Sequence, residues 1–151
     1  MTIPTETADE DLLHDEDRRL GAAVIPNPNR HFQALRNSFP ARLGGIDWNG
    51  ASLIASSSAP TGETGDARLV RLRDHYRTFL SLLDQGEKDE LVLLSDDYFE
   101  SGVAADADTA ASILARWVEL PHAVFITTPK ADVCLHVAFC GSMYVGRSRS
   151  T

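Results

Sequence analysis

The feature that most restricts the fold is a pair of apolar runs near the end of the chain. Residues 123–128 and 133–139 are rich in Val, Phe, Ile and Leu, and only the four residues 129–132 separate them. Two strands joined by so short a connection pair antiparallel, because a parallel crossover needs a dozen or more residues. The pattern therefore argues against a fully parallel, doubly wound sheet.

Three segments carry apolar residues at helical spacing. They are residues 30–38, 67–85 and 108–119, and each repeats apolar positions every three or four residues. That period predicts helices with one apolar face. The predicted N-caps of the two longer helices are Asp66, just before residue 67, and Asp108, the first residue of its segment. A short side chain with a carboxylate can accept hydrogen bonds from the free N–H groups of the first helical turn.

Further strands are predicted at residues 46–48, 51–54, 91–94 and 142–145. Asn49-Gly50 lies between the first two, and this dipeptide is typical of tight hairpin turns. The resulting order is α-β-β-α-β-α-β-β-β. It predicts an α+β (mixed α/β) protein with a single mixed, partly antiparallel sheet covered by two or three helices.

The length of 151 residues predicts one domain. Residues 1–28 are acidic and rich in proline, and we expect a flexible N-terminal segment there. Residues 29–146 form the predicted globular domain, and residues 147–151 a loose C-terminal tail.

Charge is unevenly distributed along the chain, whose formal net charge is −8. Residues 1–17 hold seven acids and no Lys or Arg, and residues 87–108 hold eight acids and one lysine. Acidic segments repel nucleic acid and anionic lipid and favour cationic partners. We therefore expect no nucleic-acid partner and no membrane partner, although acidic residues also serve simply to keep a protein soluble.

The composition also bears on source and location. Twelve of the fourteen basic residues are Arg and alanine is common, which is typical of a GC-rich bacterial genome. The acidic start lacks the basic and apolar regions of a secretory signal, so we expect a cytoplasmic protein. Two cysteines are too few for a disulfide framework and are expected to stay reduced.

Cys134 and His136 form the first candidate site. Residues two apart on a strand share a face, so a thiolate–imidazolium pair for nucleophilic catalysis is one interpretation. The alternative is a half-buried sheet face on which the cysteine packs as a small apolar residue. The second reading is the more common use of a free cysteine.

Asp96 and Asp97 form the second candidate site, because they follow an apolar strand and could hold a divalent metal. The alternative is a turn, in which Ser and Asp side chains bond the nearby backbone. No sequence motif requires a cofactor, and none is expected.

The preferred functional hypothesis is a protein-binding module, of the immunity or antitoxin type, that inhibits a cationic bacterial toxin through an acidic surface. The predicted contact residues are acids with aromatic anchors: Asp89, Glu90, Asp96, Asp97, Glu100, Trp48, Tyr98 and Phe99. The alternative is a small enzyme that uses either Cys134 with His136 or a metal held by Asp96 and Asp97. Because no catalytic motif stands out, the sequence favours a protein that is not an enzyme.

Overall fold

One seven-stranded sheet organises the molecule. The computed structural model describes residues 12–39, 41–42, 45–96, 99–120 and 122–149. The strands of this sheet are β1 (Ala23–Ile25), β4 (Ser52–Ser57), β5 (Leu91–Asp96), β6 (Gly102–Ala105), β7 (Ala123–Thr127), β8 (Val133–Val137) and β9 (Met143–Arg147). A separate two-stranded ribbon pairs β2 (Ala41–Arg42) with β3 (Gly45–Ile46).

The strand order in the large sheet is β1-β6-β5-β7-β8-β9-β4. All six of its described pairings are antiparallel, as was predicted for the hairpin of residues 123–139. The sheet as a whole was predicted to be mixed, and no described pair of strands is parallel. The predicted α+β class is confirmed. The pairing of β7 with β8 sets Ile126 opposite Leu135, as expected for the hairpin.

Five helices accompany the strands among the described residues. They are α1 (Asp15–Arg19), α2 (Asn29–Ser38), α3 (Gly65–Ser81), α4 (Gln85–Lys88) and α5 (Ala107–Trp117). The caps differ from those predicted: the Thr64 hydroxyl accepts from Ala67 N and the Asp106 carboxylate accepts from Thr109 N. Each helix begins one residue before its predicted cap, and the true cap, which has extended backbone geometry, lies two residues before it.

Both faces of the sheet are buried. On one face, α3 and α5 cover Leu93, Ile126 and Leu135 in the larger apolar cluster. On the other face, α2 supplies Leu35 to a second cluster that includes Phe125. A central strand with both faces covered reads as a continuous apolar run, which is why residues 91–94 show no alternation.

The Asn49-Gly50 hairpin was wrongly predicted. Residues Trp48–Gly50 form a turn of 3₁₀ helix, and the flanking strands take different partners. β3 pairs with β2, whereas β4 pairs with β9 at the edge of the large sheet. The Asn-Gly dipeptide predicts only that the chain changes direction, because which strands pair depends on their packing in the complete fold.

Residues 12–28 pack into the fold rather than preceding it. Leu12 is 1% exposed, β1 pairs with β6, and the Asp17 carboxylate lies 2.8 Å from an Arg116 amino group. At the other end, Arg147 closes β9 and Ser148 N donates to Asp132 O. Residues 1–11 and 150–151 lie outside the described residues. Across the described helices, no segment has the length and apolar content needed to cross a bilayer.

Candidate functional site

Cys134 lies in the interior of the sheet. Its side chain is fully buried in the cluster that contains Leu94 and Phe125. Burial raises the pKa of this thiol well above its usual range, because a thiolate would lose its hydration there. The position favours packing and disfavours a nucleophilic thiolate.

His136 shares that face of β8 but is held as a neutral ring. It stacks on Phe125 with ring centroids 4.3 Å apart, and its Nδ1–H donates to Val124 O at 3.2 Å. Desolvation by burial lowers its pKa to about 4, against a smaller opposing effect of the Val124 carbonyl. A neutral imidazole cannot stabilise a neighbouring thiolate by charge, so the arrangement lacks the electrostatics of a thiolate–imidazolium pair.

At the strand end formed by Ser95 and Asp96, the Ser95 hydroxyl and the His122 ring belong to a small hydrogen-bond network. The Ser95 hydroxyl lies 2.6 Å from His122 Nδ1 and accepts from Phe99 N, while His122 Nε2 donates to Trp117 O at 2.7 Å. Since Nε2 carries the proton, Nδ1 must accept from the Ser95 hydroxyl. These bonds tie the strand end to the end of α5, which matches the turn interpretation of Ser95.

Metal chemistry at this strand end gains no support from the described residues. Asp96 closes β5 and is half-buried, and Asp97 lies outside the described part of the chain. Among the described residues, no group of three or more His, Cys, Asp or Glu side chains could hold a metal ion.

The two described aromatic candidates are used for packing. Phe99 is 5% exposed, and its ring centroid lies 4.8 Å from that of Trp117. Trp48 is half-buried, stacks on Tyr144 at 5.7 Å and meets Phe39 edge-on. Both rings therefore make packing contacts with other described residues, and Tyr98 lies outside the described part of the chain.

The predicted acidic residues fall into two groups at opposite ends of β5. Asp89 and Glu90 precede the strand, whereas Asp96 closes it and Glu100 follows. A strand from Leu91 to Asp96 spans about 17 Å at its usual rise per residue. The structure therefore does not bring these acids together into one patch.

The group at the start of β5 gains acids that the sequence analysis had not assigned to it. Leu91 pairs with Ala105, so Glu90 and Asp106 leave the sheet side by side on neighbouring strands. A depression of about 300 Å³ next to Glu90 has Asp84, Glu87 and Lys130 among its other lining residues. We call this surface the acidic end, which comprises Asp84, Glu87, Asp89, Glu90, Asp106 and Asp108.

Sequence reasoning missed a charged network at the other end of the sheet. The Glu63 carboxylate receives two hydrogen bonds of 2.8 Å from Arg71 and one of 3.1 Å from Arg68. Arg71 also donates to Ser57 Oγ at 2.8 Å, and the Ser57 hydroxyl lies 2.8 Å from His75 Nε2. No motif marks the network, because Glu63 lies in a loop rich in Ser, Gly and Thr.

The network holds Glu63 in its charged form. The Arg71 hydrogen bonds are the main reason that the pKa of Glu63 falls to about 2, with burial opposing them. Arg71 can only donate, so the Ser57 oxygen accepts from it, and the same hydroxyl shares a hydrogen bond with His75 Nε2. A fourth bond from Arg71, to Gly141 O at 2.8 Å, ties α3 to the β8–β9 turn and indicates a structural role.

Comparison with known proteins identifies no relative: no family model and no curated protein matches the chain.

Proposed function

We propose that this protein is a protein-binding module, of the immunity or antitoxin type, that recognises a cationic protein through its acidic end. The observation that carries the proposal is the pairing of Leu91 with Ala105, which places Glu90 beside Asp106. Five of the six acids of this surface are exposed, and the surface also carries both lysines of the chain, Lys88 and Lys130. With six acids against two lysines, these side chains carry a net formal charge of −4.

Part of this charge also stabilises the fold. The Asp84 carboxylate caps α4 by accepting from Glu87 N, and Glu87 returns a bond to Asp84 N. Asp106 caps α5 by accepting from Thr109 N, and among the described residues Thr109 gives no returning bond. Asp89, Glu90 and Asp108 carry no such capping bond, so their charges can be removed at little cost in stability.

A surface of this kind acts mainly on association. Summed surface charge raises the encounter rate of an oppositely charged protein, and salt weakens the attraction over a Debye length of about 8 Å at physiological ionic strength. A toxin that cleaves nucleic acid needs a cationic site to hold phosphates. An acidic inhibitor would approach such a site quickly and block it.

The test removes the three uncapped charges together. Asp89→Asn, Glu90→Gln and Asp108→Asn keep the side-chain shapes nearly constant. Partners are captured from the source organism on the wild-type protein, and the association rate of each purified partner is measured at several salt concentrations. We expect the triple variant to associate at least about tenfold more slowly at low salt, and its rate to depend less on salt.

The matched control removes three exposed acids at the opposite end of the sheet. Asp66→Asn, Glu100→Gln and Glu119→Gln change the net charge equally but leave the acidic end intact. We expect this control to keep most of the wild-type association rate. If the two triple variants associate with the partner at the same rate, whether slowed or equal to wild type, the acidic end is not the surface that recognises the partner.

A further inference from the structure

A cavity of about 480 Å³ opens at the end of the sheet opposite the acidic end. It lies between the first turns of α3, the segment that follows α5 and the end of β8. Small-molecule sites usually measure about 300–1,000 Å³ and combine an apolar wall with a few polar groups. A ligand can hydrogen-bond only to polar groups of the lining that are not already used within the protein.

Most polar side chains of the lining already have partners. His122 uses Nδ1 with Ser95 and Nε2 with Trp117 O, so it offers a ligand only its ring. Both carboxylate oxygens of Glu63 accept from arginines. The Thr64 hydroxyl caps α3. These groups shape the wall but have little hydrogen-bonding capacity left.

Arg68 is different. It pairs with Glu63 through Nε, and among the described residues no hydrogen bond engages its two terminal amino groups. Its side chain remains 33% exposed. Glu63 pairs with both Arg68 and Arg71, so this three-residue cluster carries one positive charge in excess, although Arg71 lies behind the cavity wall. A guanidinium in this state binds a carboxylate through two parallel N–H groups.

The rest of the wall is apolar. Leu69, Leu120 and Val137 line it, and Phe139 stands at the cavity with 72% of its surface exposed. A large aromatic ring this exposed would gain from contact with an apolar ligand, because that contact removes its surface from water.

We propose that this cavity binds a small amphiphilic carboxylate, whose carboxylate pairs with Arg68 and whose aromatic or aliphatic body packs against Phe139 and Leu120. Glu119 is the other acid among the described residues of the lining, and because it is exposed, water screens its repulsion of the anion. The site is separate from the acidic end, and this proposal does not depend on the proposed function.

The test compares two probes of the same shape, naphthylacetate and naphthylacetamide, by NMR titration of the full chain. We expect naphthylacetate to bind saturably, with shifted amide signals for residues around the cavity. The amide probe should bind at least about tenfold more weakly, because a hydrogen bond between charged partners is replaced by a neutral one.

Variants separate the charged contact from the apolar one. Arg68→Gln should weaken naphthylacetate at least about tenfold and leave naphthylacetamide nearly unchanged. Arg77→Gln is the matched control, because Arg77 lies on the same helix with its side chain 78% exposed, and it should have no effect. Phe139→Ser removes an exposed ring, so the fold is retained, and it should weaken both probes.

Three outcomes would overturn the proposal. They are no saturable binding of naphthylacetate, equal binding of the two probes, or equal binding to wild type and the Phe139→Ser variant. The comparison of wild type with Phe139→Ser leaves the Glu63–Arg68 pair intact. It therefore remains informative even if the Arg68→Gln substitution disturbs the loop that carries Glu63.

Discussion

Replacing Gly146 with alanine tests the packing of Trp48 directly. A Cβ at this position would lie 2.5 Å from Trp48 Cζ3 and 2.7 Å from Ser52 O. Ordinary carbon contacts are about 3.5–4.0 Å, so the indole and the neighbouring strand β4 must both move. Overpacking of this kind costs about 1–3 kcal/mol. The restricted unfolded chain offsets about 0.4–1 kcal/mol of that.

Gly65→Ala is the matched control, because it makes the same chemical change at an open position. Gly65 is the first residue of α3, and a Cβ there would have nothing within 4 Å. The control should gain about 0.4–1 kcal/mol from the unfolded state alone. Urea unfolding should therefore separate the two variants by roughly 1–3 kcal/mol, with Gly146→Ala the less stable.

A double variant identifies the cause. Adding Trp48→Leu to Gly146→Ala removes the closer clash and leaves the one with Ser52 O, so the two effects should be non-additive and part of the loss recovered. If Gly146→Ala and Gly65→Ala unfold at the same urea concentration, the indole does not cover β9 as described. Trp48 would then regain its place as a candidate contact residue.

Three further predictions concern the core, the buried acid and the thiols. Trp117→Ala should cost about 3–5 kcal/mol in urea unfolding, since this ring is fully buried, and a near-neutral effect would mean that it is exposed in solution. The folded pKa of Glu63, about 2, lies below its usual 4.5, so its contribution to stability is complete above about pH 4.5 and is lost as the pH falls towards 2. Glu63→Gln should therefore be less stable at pH 7 and flatten the acid limb of the stability curve, and an unchanged limb would show that the Arg71 pairing is absent. A thiol reagent should label Cys140, which is exposed, and reach Cys134 only on unfolding, and rapid labelling of both in native buffer would contradict the burial of Cys134.

The sequence by itself predicted the elements whose signal is local. The apolar runs on either side of residues 129–132 led to the β7–β8 hairpin, and the helical period led to α3 and α5. Both predictions held because side-chain period and chain reversal are properties of a few neighbouring residues. β6 (Gly102–Ala105) escaped notice, since a short run of Gly, Val and Ala carries little β signal of its own.

The candidate sites were harder to predict, because burial and partners are long-range properties. Alternation along β8 correctly placed Cys134 and His136 on one face, but α2 covers that face and both side chains are buried. The spacing of the acids in the sequence likewise suggested one patch, which β5 divides. These outcomes depended on which elements pack together, and no local pattern encodes that.

What the sequence determined is therefore the kind of each main element, together with the α+β class that follows from them. Only the tertiary structure decided which residues each side chain contacts. Glu90 lies beside Asp106 because β5 pairs with β6, and Asp17 reaches Arg116 because the segment before β1 packs against α5. The physical reason is that sheet neighbours and ion pairs join residues far apart in the chain, and their free energy is gained only when the whole sheet closes.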